Sequence, residues 1–365
     1  MTLLFVEGFD DKHFAADADL AANGWEHLVG TAGVHQFFIT NGGPFGTGCY
    51  QYLWATTESE LAHYIIDKAG TNMPTNQLRI AFWVRVNNWV TSDLSGNDGL
   101  IILGNRTDRW WKMWFDSDGQ IVMGYFDDTL LVGTRATGET CLNDGLWHHV
   151  EMNLIADLAA GTIEVWDNGV KIIDFTGDTS NAASGDVTSL DTVSLKLPRA
   201  SGGAGSDIEF DDIVIWDDGG SDFTGQLGEH RVEGLVVNAA GTNTDFTPLA
   251  STNISQVDES GTPDGDTTYN SSNTALDTDT FGVDNLTFGT TIKGVSVKTY
   301  GRTDGSNTFQ NVVRSSSVEA NSATFTLTTS YDTYRHVQTL DPGAGTPAWT
   351  ATTVNAMEIG YEVIS

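Results

Sequence analysis

Apolar and polar positions alternate with a period of two along most of the first half of the chain. In QLRIAFWVRVNN (77–88), Ile80 and Phe82 fall on one side of an extended strand and the intervening residues on the other. TIEVWDNGVKIIDF (162–175) repeats the pattern on both sides of an Asn-Gly pair, which is typical of a tight hairpin turn. Helical periodicity is nearly absent. The pattern therefore predicts an all-β protein.

The strand pattern breaks once, near residue 220. The segment 217–230 is rich in Gly and Asp, and the strands that follow it are shorter. We therefore predict a first all-β domain over 1–220 and a smaller β-sandwich domain over 221–365, which serves as an anchor or in oligomerisation. The second domain contains a long polar stretch, 251–280, which we expect to be either an ordered excursion or a metal-binding loop.

Charge restricts the partners. Asp and Glu number 49 against 17 Lys and Arg, which gives a formal net charge of −32. This charge repels nucleic acid phosphates and anionic lipid, so no nucleic acid partner is expected. No apolar run approaches the about 18 residues of a membrane span, so no membrane insertion is expected. The first residues lack the basic segment and the apolar run of a signal peptide, and we expect synthesis in a cytoplasm.

Two adjacent histidines, His148 and His149, lie in DGLWHHVEMNL (144–154). Neighbouring side chains on a strand point to opposite faces, so this pair cannot easily bind one metal ion. We expect one histidine to pack inward and the other to face solvent, with a structural role for both.

Several stretches of the first domain resemble the concanavalin A-like (laminin-G/pentraxin-like) jelly-roll family. They are FVEGFDD at the start, IAFWVRV, DGLWHHVEMNL with the hairpin after it, and FDDIVIWD. In that family a Trp-His pair opens a central strand, and the last strand often carries an Asp-Asp-apolar signature. The resemblance covers about 3–218 and implies a jelly-roll sandwich. Lectins, glycosidases and adhesion modules share this fold, so the fold alone leaves the function open.

The laminarinase-type glycosidases of this fold carry Glu-x-Asp-x-x-Glu on one strand, and retaining chemistry needs two carboxyl groups about 5 Å apart. Here Glu209 and Asp211 match the first two positions, but Val214 occupies the third. The sequence also lacks a Gly-x-Ser-x-Gly elbow, a P-loop and a His-Glu-x-x-His motif. We therefore predict that the chain is not an enzyme.

Acidic residues at the two ends of the first domain form a candidate Ca²⁺ site. Glu7 and Asp10 lie on or just past the first strand, and Asp211 and Asp212 lie on the last. First and last strands are commonly neighbours in the family, whose members often hold a structural Ca²⁺ there, and Ca²⁺ prefers oxygen ligands. The alternative is a solvated acidic surface, and no other cofactor is expected.

Aromatic residues suggest a glycan-binding surface. RWWKMWFD places Trp110, Lys112 and Trp114 on one face of a strand, which we expect to point outward, and Tyr125 extends the same surface. Exposed aromatic rings stack on sugars and also form protein interfaces. We predict carbohydrate binding at these four residues, with core or interface packing as the alternative.

Residues 208–365 resemble structural proteins of tailed bacteriophages. The match includes the FDDIVIWDD strand, LGEHRVEGLVVNAAGTNTDFTPL and the closing PAWTATTVNAMEIGYEV. The resemblance implies a non-enzymatic protein of the virion surface: a capsid decoration, head fibre or tail appendage. We expect contacts with other capsid or tail proteins, a homo-oligomer such as a trimer, and weak multivalent adsorption to host surface glycans. A structural cement protein without a ligand and a carbohydrate-active hydrolase of the laminarinase-like fold remain as alternatives.

Overall fold

A computed structural model gives the fold of the chain. It describes residues 3–9, 35–39, 42–53, 63–65, 76–88, 101–104, 109–116, 118–127, 130–157, 159–179, 192–195, 207–217, 225–259, 263–289, 291–345 and 348–365. These residues form two compact units, and the second begins at Glu233. The prediction of an all-β protein is confirmed.

The first unit is built from β-strands. They are β1 (Leu3–Glu7), β2 (His35–Ile39), β3 (Cys49–Leu53), β4 (His63–Ile65), β5 (Gln77–Asn88), β6 (Ile101–Gly104), β7 (Arg109–Phe115), β8 (Gln120–Asp127), β9 (Leu130–Cys141), β10 (Trp147–Ile155), β11 (Gly161–Asp167), β12 (Val170–Gly177), β13 (Thr192–Leu195) and β14 (Asp207–Trp216). The predicted Asn-Gly hairpin joins β11 to β12, with Asn168 and Gly169 at φ 47° and 80°.

These strands form the two sheets of a jelly-roll sandwich. The first sheet has the order β12-β11-β10-β5-β14-β3-β2, and the second has the order β4-β13-β6-β7-β8-β9. One edge of β14 pairs with β3 in its first half and with β1 in its second half. The expected neighbourhood of the first and last strands is thus confirmed, with Phe5 opposite Ile215.

The central strands of the first sheet are buried on both faces. Ile80, Phe82 and Val84 are buried on the core side of β5, as their alternation predicts. On the opposite side, residues that the pattern marks as polar are also buried, including His149 and Glu151 of β10. We call this second surface the polar face. Buried polar groups need hydrogen-bond partners, and those partners define the candidate site described below.

The second unit is the smaller all-β unit. Its strands are β15 (Val237–Thr244), β16 (Thr247–Pro248), β17 (Asn270–Ser271), β18 (Thr278–Val283), β19 (Val295–Gly301), β20 (Thr308–Ser315), β21 (Val318–Asn321), β22 (Phe325–Thr326), β23 (Asp332–Gln338) and β24 (Glu358–Val363). Helix α1 (Ala351–Asn355) and two 3-10 helices, Ile254–Gln256 and Pro342–Ala344, complete it. Among the described residues, no helix has the length and apolar character of a membrane span.

The main sheet of the second unit has the order β15-β18-β24-β20-β21, with β22 also on β20. Its core includes Val297, Val313 and Trp349. The polar stretch between β15 and β18 is held by buried Asp279, whose carboxylate accepts from the Phe246 amide at 3.0 Å and from Asn253 Nδ2 at 2.6 Å. Hydrogen bonds to protein groups thus order this stretch, where a metal-binding loop was the other expectation.

The predicted domain division at residue 220 differs from the division in the structure. Residues up to Val232 belong to the first unit. The reason is a set of hydrogen bonds between residues 227–232 and the polar face of the first sheet, which strand patterns do not reveal.

His148 and His149 point to opposite faces of β10, but the prediction that one of them meets solvent is wrong, since their exposures are 6% and 1%. Two acids flank His148: its Nδ1 lies 2.9 Å from Asp167 Oδ1 and its Nε2 lies 3.1 Å from Asp144 Oδ1. Burial opposes the charged imidazolium, but hydrogen bonds with the two acids outweigh burial and raise the pKa of His148 above its usual value.

Because this pKa is raised in the folded protein, charged His148 stabilises the fold fully below pH 6.5, and this contribution is lost as the pH rises through the raised pKa. We therefore expect His148→Asn to cost most stability below pH 6.5 and progressively less above it. Urea unfolding of both proteins between pH 5.5 and about 9 measures this difference. A difference that does not change with pH would contradict the assignment.

Candidate functional site

Three strands supply the centre of the polar face. Strand β5 lies between β10 and β14, so that Trp83 is flanked by His149 and Asp211. One step along the strands, Arg85 is flanked by Trp147 and Glu209 in the same way. The two rows lie next to each other, because residues i and i+2 of a strand share a face.

The row that contains Arg85 is partly open to solvent. The Arg85 side chain is 26% exposed and forms an ion pair with Glu209, which is 2% exposed. The hydrogen bond with Glu209 raises the pKa of Arg85 against the opposing effect of burial. The guanidinium carbon also lies 5.0 Å from the ring centroid of Trp147, within the range of a cation–π contact.

A second carboxyl group joins this row through Gln51 of β3. Gln51 Nε2 donates to Asp207 Oδ1 at 2.8 Å and to Glu209 Oε1 at 3.2 Å. Asn87 Nδ2 donates to the other Asp207 oxygen at 3.3 Å. A shared donor therefore holds one oxygen of each carboxyl group close to the same Gln51 nitrogen, so that the two groups lie side by side. We call Gln51, Arg85, Trp147, Asp207 and Glu209 the open end.

The row that contains Trp83 is covered by residues 227–232, which we call the strap. The carboxylate of Glu151 accepts the amide hydrogens of Leu227 at 2.9 Å and of Gly228 at 3.1 Å. The Val232 amide donates to Asp212 Oδ1 at 2.8 Å. The strap therefore satisfies buried carboxylates of two different strands.

His230 is the central contact of the strap. Its Nδ1 lies 3.0 Å from His149 Nε2, and its Nε2 lies 2.7 Å from the Asp212 carbonyl oxygen. Trp83 Nε1 donates to the His230 carbonyl oxygen at 2.9 Å. Burial, and then the nearby His230, lower the pKa of His149 to about 3. Because its Nε2 is bonded to His230 of the strap, His149 has a structural role. The groups that could act on a ligand are therefore those of the open end.

The predicted Ca²⁺ ligands do not assemble a metal site among the described residues. Glu7, Asp211 and Asp212 are buried on adjacent strands, while Asp10 lies outside the described residues. Protein groups bind these carboxylates: Asp211 accepts from Thr47 Oγ1 at 3.3 Å, and Asp212 accepts from the strap. Within the described chain, no group of three His, Cys, Asp or Glu side chains could hold a metal ion. Because Asp10 is outside the described residues, the Ca²⁺ site stays a prediction from resemblance.

The expected outward aromatic face requires correction. Lys112 and Trp114 are 0% and 3% exposed, and Trp114 packs against Val122 of the neighbouring strand. Trp110 lies in β7 and Tyr125 in β8, but their side chains fall outside the described ones. Alternation separates the two faces of β7 without showing which one is covered, and both faces are buried from Trp111 to Phe115. As placed, Lys112 and Trp114 cannot stack on a sugar.

Sequence reasoning missed most of the open end. It extended the Glu-x-Asp pattern forward to Val214 and did not examine Asp207, two residues before Glu209. The signal was present, because Asp207, Glu209 and Asp211 have the i, i+2 spacing of one strand face. Arg85 and Trp147 could be found only from the pairing of β5 with β10 and β14, which the sequence does not specify.

Comparisons with known proteins give relatives at the level of structure. No protein-family model matches the chain, and no curated protein matches its sequence. Among solved structures, alginate lyase Aly36B is similar over 60% of this chain and 98% of its own, at 13% identity and a TM-score of 0.38. Alginate lyase vAL-1 from Chlorella virus is similar over 59% of this chain and 100% of its own, at 10% identity and a TM-score of 0.40. The carbohydrate esterase vb_24B_21 from Shiga toxin-encoding bacteriophage phi24B is similar over 59% of this chain and 97% of its own, at 13% identity and a TM-score of 0.35.

These comparisons contradict the prediction that the chain is not an enzyme, because the proteins it resembles are lyases and an esterase. The sequence argument looked for a second carboxyl group only at the position of Val214. At this level of identity and TM-score, no residue role can be transferred to this chain. Roles in the open end follow from its own geometry.

The contacts of Glu151 predict a stability effect. Glu151→Ala removes the buried carboxylate that accepts the amides of Leu227 and Gly228, and we expect this loss to cost about 1–3 kcal/mol in the free energy of unfolding. Asp174→Ala is the matched control, since Asp174 is an exposed acid of the same sheet that pairs with Lys171 at the surface. Urea titrations compare the two variants, and equal losses would contradict the structural role of the strap.

Proposed function

We propose that the chain is a carbohydrate-active hydrolase whose open end binds a sugar chain and cleaves a glycosidic bond. One observation carries this proposal: Asp207 and Glu209 share the Gln51 donor, which pairs two carboxyl groups on a partly exposed sheet face. Paired carboxyl groups are the chemical requirement of glycoside hydrolysis. The similarity to carbohydrate-active proteins agrees with this class without specifying the reaction.

The remaining groups of the open end suit a sugar ligand. Trp147 is partly exposed and offers an aromatic surface on which the apolar face of a sugar ring can stack. Gln51, Asn87 and Asp207 are exposed or partly exposed amide and carboxyl groups beside it, and such groups hydrogen-bond sugar hydroxyls. An aromatic surface with planar polar groups at its rim is a suitable platform for carbohydrate.

The two carboxyl groups have different surroundings, which assigns their roles. Arg85 pairs with Glu209 and fixes the position of its carboxylate, as a nucleophile requires. Asp207 accepts hydrogen bonds from neutral amides and is more exposed, which suits a group that exchanges protons with water and substrate. Glu209 is therefore the nucleophile and Asp207 the acid/base in this proposal.

The reaction proceeds in two balanced steps. The Glu209 carboxylate attacks the anomeric carbon, the bond to the leaving oxygen breaks, and Asp207 gives its proton to that oxygen. A water molecule then attacks the anomeric carbon, Asp207 takes up its proton, and the bond to Glu209 breaks. Both groups return to their starting states.

The place of this activity on a bacteriophage particle is also a proposal. It is supported by the resemblance of residues 208–365 to phage structural proteins. In that setting the protein is a virion surface component, anchored to capsid or tail proteins as a homo-oligomer, and its substrates are host surface glycans. Gold-tagged antibody against residues 1–215, imaged on purified virions, tests the location. Particles without gold would remove the virion assignment and leave the hydrolase proposal standing.

Substitution of either carboxyl group tests the chemistry. We expect Glu209→Gln and Asp207→Asn each to lower the rate of reducing-sugar release from host polysaccharide by about 10²–10⁴-fold, because each removes a group that acts in the transition state. Asp174→Asn, an acid of the same sheet outside the open end, is the control and should keep the wild-type rate. Circular dichroism melts confirm that the variants are folded.

Two outcomes would refute the hydrolase proposal. One is wild-type activity in both carboxyl variants. The other is a product with an unsaturated sugar end, detected by ultraviolet absorbance, because such an end arises by elimination and not by hydrolysis.

Binding is tested separately from chemistry. We expect Trp147→Ala to weaken the binding of oligosaccharides from a glycan array by about tenfold, through loss of the stacking surface. Trp147→Phe keeps an aromatic ring and should retain most of the affinity. Isothermal titration calorimetry on the folded variants measures both, and equal affinity in wild type and Trp147→Ala would exclude the open end as the sugar platform.

A further inference from the structure

The strap lies over the continuation of the open end. Trp83 lies two residues before Arg85 on β5, and His149 lies two residues after Trp147 on the antiparallel strand β10. All four side chains therefore share one face of the sheet. The covered residues are an aromatic ring, an imidazole and the carboxylate of Glu151. The aromatic ring and the carboxylate are types of group that the open end also contains.

The strap is attached by side chains of the sheet. Glu151, Asp212 and Trp83 bond its backbone, and His149 bonds its imidazole, His230. The strap residues are themselves partly exposed and outside any strand. A segment that is attached through side chains, and not through strand pairing, can open without disturbing the hydrogen-bond ladders of β5, β10 and β14.

We propose that the strap is an acid-released cover whose opening extends the carbohydrate-binding face from Arg85 and Trp147 to Trp83 and His149. The release of the strap is argued from the hydrogen bonds that attach it to the sheet. The extension of the binding face rests on the proposed function.

The two imidazoles cannot both be charged and keep their hydrogen bond, because each ring would then carry a proton on the nitrogen that faces the other ring. The Asp212 carbonyl oxygen accepts a hydrogen bond, so His230 carries its proton on Nε2. His230 Nδ1 is then an acceptor, and His149 Nε2–H donates to it. A second proton on His230 would occupy Nδ1, where the Gly228 carbonyl oxygen, 3.2 Å away, or the other tautomer of His149 can accept it, and a further proton on His149 would then break the contact between the rings.

The direction of the pH effect follows from the two histidines. Burial lowers the pKa of His230, and burial together with His230 lowers the pKa of His149 to about 3. Once the strap opens, both rings meet water and their pKa values return towards 6.5. The open state then binds more protons below pH 6.5, so acid favours opening, by up to about tenfold per pH unit for each histidine.

Glu151 acts in the opposite direction. Burial raises its pKa despite the two strap amides, so the closed state takes up a proton on Glu151 more readily than the open state. One carboxyl group contributes at most about tenfold per pH unit, whereas two histidines act together, so the net effect is release. The other charged groups around the imidazole pair and the strap are Glu7 on β1, Arg79 on β5, Asp211 and Asp212 on β14, and Glu229 and Arg231 within the strap.

Hydrogen–deuterium exchange of the full chain between pH 7.5 and 4.5 tests the release, with rates corrected for intrinsic exchange. We expect the amides of Leu227, Gly228 and Val232 to lose protection below pH 6.5 while β10 and β11 stay protected. Protection of the strap that does not change with pH would overturn the proposal. Loss of protection in the strap and in β10 together would also overturn it, because that result is global unfolding.

Variants assign the effect to the imidazole pair. We expect His230→Gln and His149→Gln each to remove about half of the pH response of the strap amides on a logarithmic scale. His336→Gln is the control, because His336 is a histidine of the second unit whose pKa is also lowered by burial. If one of these two histidine variants does not fold, the other variant, compared with the wild-type pH profile, still tests whether the imidazole pair causes the response. A wild-type response in either folded pair variant would overturn the assignment.

Oligosaccharides of increasing length separate the two parts of the proposal. At pH 7.5 we expect affinity to stop rising once the open end is filled, and at pH 5 longer oligosaccharides should gain further affinity in wild type. The same length dependence at both pH values would overturn the extended face while leaving the open-end site intact. Strap release without oligosaccharide binding at either pH would refute the proposed function and support the cover alone.

Discussion

The polar face of the first sheet can exist in a buried position only because each of its carboxylates and imidazoles has a hydrogen-bond partner. An unsatisfied buried polar group costs about 1–3 kcal/mol, so a row of them without partners would destabilise the sandwich. The strap supplies amide donors to Glu151 and Asp212, and an imidazole to His149. The same need explains why the first unit extends to Val232: the chain after β14 completes the hydrogen bonding of the sheet.

This constraint also divides the face into two regions. Under the strap, polar side chains bond one another or the strap backbone. At the open end the partners are other side chains, with Gln51 and Arg85 holding Glu209 in place. Groups that are positioned by neighbouring side chains and remain partly exposed are pre-organised to meet a ligand. Chemistry is therefore expected at the open end, although the most conspicuous histidines lie in the other region.

Local patterns predicted the parts of the fold that depend on local physics. The alternation in β5 correctly predicted which of its side chains face the core, and Asn168-Gly169 correctly predicted the hairpin between β11 and β12. Both succeed because strand period and turn geometry are set by adjacent residues. Long-range partners could not be predicted in this way. Nothing near His149 indicates His230, 81 residues later, and alternation on β7 could not show that the side with Lys112 is covered.

Strand β14 shows how one backbone feature joins the two regions. Before Asp212, alternate residues Asp207, Glu209 and Asp211 belong to the polar face, and the pairing with β5 shifts register between Asp211 and Val214. Asp212 adopts φ 49°, which is uncommon for a residue other than glycine and costs of order 1–3 kcal/mol. In this position its carbonyl oxygen accepts from His230, and its carboxylate accepts from Val232. The bulge thus offsets its strain by anchoring the strap, and it places Val214, three residues after Asp211, opposite Ala81, which lies only two residues before Trp83 on β5.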